Sequence, residues 1–414
     1  MSWKKAKLSE CCQSISDGDH QAPPKSNKGI PFVTISNIKD NSFDFTDCMY
    51  VPQSYYDNLL AKRKPQKGDI LYSVVGSFGI PVLMKENVKL TFQRHIAILR
   101  PNPHIVEPAY MYYSMLSKAF FLQADAAAIG AAQRTISLSS LQNLTINLPD
   151  LPTQRRIASI LSAYDDLIEN NRRQIKLLEE AAQRLYREWF VELRFPGHEG
   201  VKVVDGVPEG WKKVTIADSL AFHIGGGWGK ETTNGKNTVA GKVIRGTDIN
   251  DIKNGDFGSI PLRYHTENDI LKRVLHPNDI VFELSNGNIN NIGRCLMIDN
   301  TLLKNLGCNT ICASFCKLLR PHDEMISHLL YWEIQDMQNS GRMLPLKKHG
   351  SNGINNFDFD GFLKHEYLLP LEKRFVQPLI YIMQKISNIQ SQLVFLQEAR
   401  DRLLSKLMSG EMEV

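Results

Sequence analysis

The 414-residue chain predicts an α+β fold with an internal pseudo-twofold repeat. Two strand-rich α+β globular domains are expected, joined by a long antiparallel two-helix coiled coil. Three observations carry this expectation. Residues 152–190 follow a heptad pattern, a second copy of that stretch lies near the C-terminus, and short motifs ahead of each copy recur in the same order. The length agrees, since 414 residues exceed one ordinary core and suggest two or three domains.

Read in sevens, the central stretch puts Ile157, Tyr164, Asn171, Leu178 and Leu185 at one seam position. Leu161, Ile168, Ile175, Ala182 and Trp189 fall four residues later in each heptad. Arg, Glu and Gln fill the intervening positions, which is the pattern of a coiled-coil helix. In the distal copy the seam reads Phe375, Ile382, Ile389, Leu396 and Leu403, with Leu379, Ile386, Leu393, Arg400 and Leu407. Leu151, Pro152, Arg156, Asn170, Gln174, Glu180, Ala181 and Arg184 meet identical residues at Leu369, Pro370, Arg374, Asn388, Gln392, Glu398, Ala399 and Arg402. The two helices are each other's expected partner. Asn171 interrupts the seam opposite Ile389; it either fixes register or lies exposed where the seam opens. Arg400 is expected at the edge of the rod with its charge in water.

The repeat extends into the globular parts. Trp3-Lys4-Lys5 recurs as Trp211-Lys212-Lys213, and Gly68-Asp69-Ile70 is answered by Asn278-Asp279-Ile280. Leu99-Arg100-Pro101 is answered by Leu319-Arg320-Pro321. The offset drifts while the order holds, as happens when loops change length and strands do not. Apolar runs at 30–35, 69–75, 95–99, 243–244, 279–284 and 311–319 read as strands, and 110–122 and 325–337 as helices. The expected boundaries are 1–150 for the first globular domain and 151–192 for the central helix. The second globular domain, with its linker, takes 193–370, and the distal helix 371–414.

Composition places the chain among soluble globular proteins, with 43% hydrophobic and 22% charged residues. No apolar run approaches a membrane span, and the N-terminus lacks the apolar core of a signal peptide. Seven cysteines without framework spacing suggest reduced thiols and a cytoplasmic location. The net charge of +5 is spread thinly, with 20 basic against 21 acidic residues over 191–370. No polybasic tail announces nucleic acid.

Motifs of catalysis are missing. The stretch Gly225-Gly226-Gly227-Trp228-Gly229-Lys230-Glu231 departs from a phosphate loop in spacing and puts Glu231 where a hydroxyl should hold Mg²⁺. No G-x-G-x-x-G opens a strand–helix unit. Cys308, Cys312 and Cys316 sit among Ser314, Phe315 and Leu318 and read as parts of a buried strand rather than metal ligands. His20 and His349 have no carboxylate–nucleophile company. The chain is expected to be non-catalytic, with no metal site.

These features together resemble the specificity subunit of a type I restriction–modification system. The likeness rests on the doubled Leu-Pro-x-x-x-Arg helix start, on Lys67-Gly68-Asp69-Ile70-Leu71-Tyr72-Ser73 leading to Gly76-Ser77-Phe78-Gly79, and on Gln93-Arg94-His95-Ile96-Ala97. The second half adds Ile244-Arg245-Gly246-Thr247-Asp248-Ile249, Asp279-Ile280-Val281-Phe282 and Gly293-Arg294. Trp189-Phe190-Val191 and Phe195-Pro196-Gly197-His198 match the family's central junction. The resemblance implies a DNA reader whose two domains each bind half of a split double-stranded DNA site, with the helices as ruler. Methyltransferase subunits would dock on the helices and restriction–translocase subunits would join them. S-adenosylmethionine, ATP and Mg would belong to those partners, leaving this chain without a cofactor. The competing reading is a two-domain coiled-coil scaffold that binds no nucleic acid.

A DNA reader needs amide, guanidinium and ammonium groups on loops. In the first domain the candidates are His20, Gln21, Lys25, Asn27, Lys28, Ser77, Gln93, Arg94, Gln133 and Arg134. In the second they are Trp228, Lys230, Arg245, Thr247, Arg263, Asn286, Asn288, Asn290, Arg294 and Lys348. Leu167, Leu177, Tyr186 and Phe190 lie outside the helix seam and either widen the apolar stripe or form a docking surface.

Overall fold

The computed structural model of the chain describes residues 3–39, 41–130, 134–350 and 353–414. They form two compact units. Unit 1 comprises residues 1–167 and 397–414, and unit 2 residues 168–396. The helix Leu151–Tyr186 gives its first part to unit 1 and the rest to unit 2, whereas the helix Gln377–Ser409 gives its first part to unit 2 and its end to unit 1.

In unit 1, a four-stranded antiparallel sheet runs in the order Cys12–Asp17, Ile96–Pro101, Ile70–Ser73, Pro81–Leu83. The central strands are apolar on both faces, and Ile70, Leu71, Ile96 and Leu99 are completely buried. This is why they read as continuous runs rather than alternations. Ile30–Val33 lies parallel to Thr91–Phe92 and antiparallel to Met49–Val51 in a second sheet. Lys4–Lys7 pairs with Thr145–Leu148.

Unit 2 repeats all three pairings. Its main sheet is Leu220–Gly225, Cys316–Pro321, Ile280–Glu283, Cys295–Met297. Val239–Ile244 runs parallel to Thr310–Cys312 and antiparallel to Leu262–His265. Trp211–Thr215 pairs with Glu366–Pro370. Even the irregularity is shared: the pairings Arg100–Ser14 and Pro101–Cys12 skip a residue, as do Arg320–Phe222 and Pro321–Leu220. Each skipped residue forms a bulge at the same point.

Each unit also encloses its part of the helices. In unit 1, Ile157 and Leu161 join Leu407 and Met408 in the core, and Asp165 receives the Arg400 guanidinium at 3.1 Å. In unit 2, Ile168, Ile175, Ile386 and Leu393 form one cluster. Asn171 is buried there and donates to Gln392 Oε1 at 3.4 Å. That buried amide pair follows the register-fixing alternative rather than the open seam.

Several expectations need correction. The apolar run 110–122 is two helices, Pro108–Leu116 and Lys118–Ala127, because Ser117 turns to an extended ψ of 144°. Its hydroxyl then caps the second helix by accepting from Phe120 N at 3.2 Å. The cysteine-spaced run is also broken: Thr310–Cys312 and Cys316–Pro321 are separate strands, and Cys308 is exposed. The central helix ends at Tyr186 and widens into a π turn, Arg187–Val191. Tyr186 and Phe190 stack with ring centroids 5.2 Å apart inside the core of unit 2. They therefore widen the buried stripe, whereas Leu167 and Leu177 remain half exposed.

Candidate nucleic-acid interface

Antiparallel pairing gathers the candidate loops on one edge of each main sheet. In unit 1 that edge holds the loop after Asp17, the turn before Ile96 and the loop from Ser73 to Pro81. The first loop is tied down by Gly18 N donating to Ile96 O at 3.2 Å and Asp19 N to Phe92 O at 3.0 Å. In unit 2, Gly226 N donates to Cys316 O at 3.0 Å and Gly227 N to Cys312 O at 2.9 Å. These are the same two bonds. A Cβ at Gly18 or Gly226 would lie 2.1 Å from a backbone oxygen, Phe92 O or Ala313 O. Glycine is required at both positions so that the loop can press against the neighbouring strand.

Past this shared anchor stand His20 in one unit and Trp228 in the other, both exposed. His20 is 2.6 Å from Asp17. Asp19 receives the Tyr55 hydroxyl at 2.7 Å, and burial followed by that carboxylate pushes the phenol up to about 12. Arg63 lies between Asp17 and Asp19, at 3.6 and 3.5 Å. Gln21, Lys25, Asn27 and Lys28 are exposed along the rest of the loop, where Ser26 N donates to Tyr50 O. Trp228 carries the Arg263 guanidinium 4.9 Å above its ring, and Arg263 also meets Glu231 at 3.3 Å. Lys230 is exposed, with its backbone bridged to Tyr264.

The second loop of each edge pairs with a distant segment. Gly76 N donates to Arg134 O at 2.9 Å, which places exposed Ser77 beside Arg134. Arg134 lies over the Phe78 ring and pairs with Asp125 at 2.8 Å. Gln133 lies outside the described residues. In unit 2, Ser285 and Asn286 pair with Asn356 and Asn355. Buried Glu283 organises the asparagine loop, accepting from Asn286 Nδ2 at 2.7 Å and Arg294 Nε at 2.9 Å. Asn286 Oδ1 in turn accepts from Asn288 N at 2.7 Å, and Asn290 O accepts from Gln338 at 3.1 Å. The side chains of Asn288 and Asn290 face solvent. Lys348 is exposed and 3.1 Å from Asp358.

Two arginines are already engaged. Arg245 is clamped on buried Asp248 at 2.6 Å and donates to Ser259 O, and that carboxylate raises its guanidinium further above the usual range. Arg294 donates to Glu283 and to Gly246 O. Both therefore hold loops in place, while Thr247 between them is exposed. Sequence reasoning passed over Glu283, Asn355, Tyr55 and Arg63, which shape these loops from behind. An acid inside the apolar run Asp279-Ile280-Val281-Phe282-Glu283-Leu284 was the available signal for Glu283.

Residues 2–180 match the family model of the type I restriction modification DNA specificity domain. Over that stretch the chain is similar to the type I restriction–modification specificity subunits. A putative MjaX specificity subunit of Methanocaldococcus jannaschii is 29% identical over 231 residues, 54% of this chain and 53% of that protein. The MjaIX specificity subunit of the same organism is 24% identical over 372 residues, 84% of this chain and 78% of the relative. The HindI specificity subunit of Haemophilus influenzae is 27% identical over 198 residues, 46% and 41% of the two chains. The matches thus span about half the length of the first relative and less of the third. The crystal structure of an S subunit from M. genitalium shares the fold, with a TM-score of 0.56 at 15% identity over 98% of this chain and 96% of that chain. Among the described residues, no group of His, Cys, Asp and Glu is placed to hold a metal ion. No helix in them is long and apolar enough to cross a membrane.

Proposed function

We propose that this chain is a specificity subunit that reads a two-part DNA sequence for a type I complex and performs no chemistry itself. The duplicated sheet edge carries the proposal. Each unit brings an anchored first loop, a turn and a paired second loop to one side of its main sheet, with different side chains mounted on the same backbone. One scaffold with two sets of polar groups suits two unlike half-sites. The loops would enter the grooves, while Lys25, Lys28, Lys230 and Lys348 meet phosphates.

The two long helices act in this proposal as an antiparallel coiled coil that separates two target recognition domains. These are residues 1–150 and 193–370, with helices at 151–192 and 371–414. The 36-residue helix Leu151–Tyr186 is about 54 Å long at ~1.5 Å per residue, enough to space two readers across one turn of B-DNA or more. Methyltransferase subunits would dock on the helices, where Leu167 and Leu177 are exposed. Restriction–translocase subunits would complete the assembly in the cytoplasm. S-adenosylmethionine, ATP and Mg would bind those partners.

A mobility-shift assay on duplex DNA across a salt series tests the reading. Affinity is expected to fall steeply and linearly on a log–log plot as phosphate contacts release counterions. A flat response, or no shift with methyltransferase subunits added, rejects it in favour of a protein scaffold.

A further inference from the structure

Five arginines stand among the candidate readers, and four are occupied by acids of their own unit. Arg134 pairs with Asp125, Arg245 with Asp248, Arg263 with Glu231 and Arg294 with Glu283. Arg94 differs. It is exposed, and among the described residues its guanidinium has no carboxylate or carbonyl partner.

The backbone beneath Arg94 is fixed on every side. Gln93 N donates to Val33 O at 3.0 Å, Arg94 N to Asp19 O at 3.0 Å, and Ile96 N back to Gln93 O at 2.9 Å, closing the turn. His95 O accepts from Val74 N at 2.9 Å. Arg94 therefore projects from a tight turn tied to three other segments of the reading edge. The mount fixes the backbone, so binding has only the side chain to order, and the two parallel N–H groups of a free guanidinium match the O6 and N7 acceptors of guanine.

Unit 2 has the same turn without the arginine. Cys316 N donates to Ala313 O at 2.8 Å, as Ile96 N does to Gln93 O, so Ser314 occupies the position of Arg94. Elsewhere in unit 2 the candidate loops carry amide groups and the paired Trp228 and Arg263. We propose that Arg94 reads a guanine in the half-site bound by unit 1, and that unit 2, with Ser314 there, lacks the corresponding contact. The inference rests on the DNA-reading function proposed above.

The test is a genome-wide map of methylated sites in cells carrying the parent chain, Arg94→Ala or Arg94→Lys, with the parent's partner subunits. Exchange of residues 1–150 for those of a relative identifies which half-site belongs to unit 1. We expect a guanine in that half-site at one position where both variants lose discrimination by about ten- to a hundredfold, the other half-site being unchanged. Lysine should fail like alanine, since it lacks the two-pronged geometry. An unchanged motif overturns the inference, as does relaxation in the other half-site. Uniform weakening at all sites that lysine restores would mark a phosphate contact and also overturns it. Those outcomes leave the DNA-reading function standing, whereas a methylation pattern that ignores this chain altogether removes both. Thermal melting of the purified variants, expected to match the parent because Arg94 is exposed, separates loss of reading from loss of fold.

Discussion

At the residue scale, the ion pairs of the two units are copies. Arg100 grips Asp69 through Nε at 2.9 Å and Nη2 at 2.7 Å, and also reaches Lys64 O. Arg320 grips Asp279 at 2.8 and 2.7 Å, and reaches Val274 O. Both carboxylates are buried, so each bidentate pair offsets the desolvation that a single charge would suffer there. The Arg-Pro and Asp-Ile motifs were visible in the sequence. Their pairing was not, because 31 and 41 residues separate the partners. His328 shows a different use of burial. It lies 6% exposed with Nδ1 unpartnered, and burial followed by the nearby Lys373 lowers its pKa to about 4 against the pull of Glu324. Its folded pKa lies below the unfolded one. The unfolded chain therefore takes up the proton first, and stability falls as pH drops from about 6.5 towards 4. The loss amounts to about 3 kcal/mol at the acid end. Urea unfolding of the parent and His328→Gln at pH 7 and pH 4.5 checks this; the variant should lose distinctly less stability on acidification.

At the element scale, the anchored loop is the unit of design. Gly18 and Gly226 let the chain leave its strand with backbone bonds to two neighbours. Gly18→Ala or Gly226→Ala would force a shift of the loop or of the opposing carbonyl and should destabilise the affected unit by about 2 kcal/mol or more. Differential scanning calorimetry would show the lower transition. The methylation map would show one half-site degraded, the first for Gly18 and the second for Gly226. Two glycines after two strands could be read from the sequence, but not their opposing carbonyls, since Phe92 and Ala313 come from remote strands. The helix break at Ser117 was missed for a local reason. An apolar run of helical period continues through it, and only the capping bond to Phe120 reveals that two shorter helices fit better.

At the scale of the whole molecule, duplication is the organising fact. Three sheet pairings, one bulge, one ion pair and one loop anchor recur in both units. If the helices are the ruler, inserting one heptad into each should lengthen the unread spacer of the methylated site and leave both half-sites intact. Methylome sequencing of the insertion variant reads this directly, and an unchanged spacer would contradict the ruler role.

The sequence by itself determined the repeat, the heptad helices and the strands, because each leaves a periodic or duplicated trace along the chain. The order and duplication of its motifs also carried the resemblance from which the kind of protein was expected. Only the tertiary structure decided which polar residues are spent on the fold and which remain available. Arg94 and Arg294 are equally polar loop residues in the sequence. Folding brings the buried Glu283 carboxylate to Arg294 and, among the described residues, none to Arg94, and that difference depends on how each loop is turned against its neighbours in the fold.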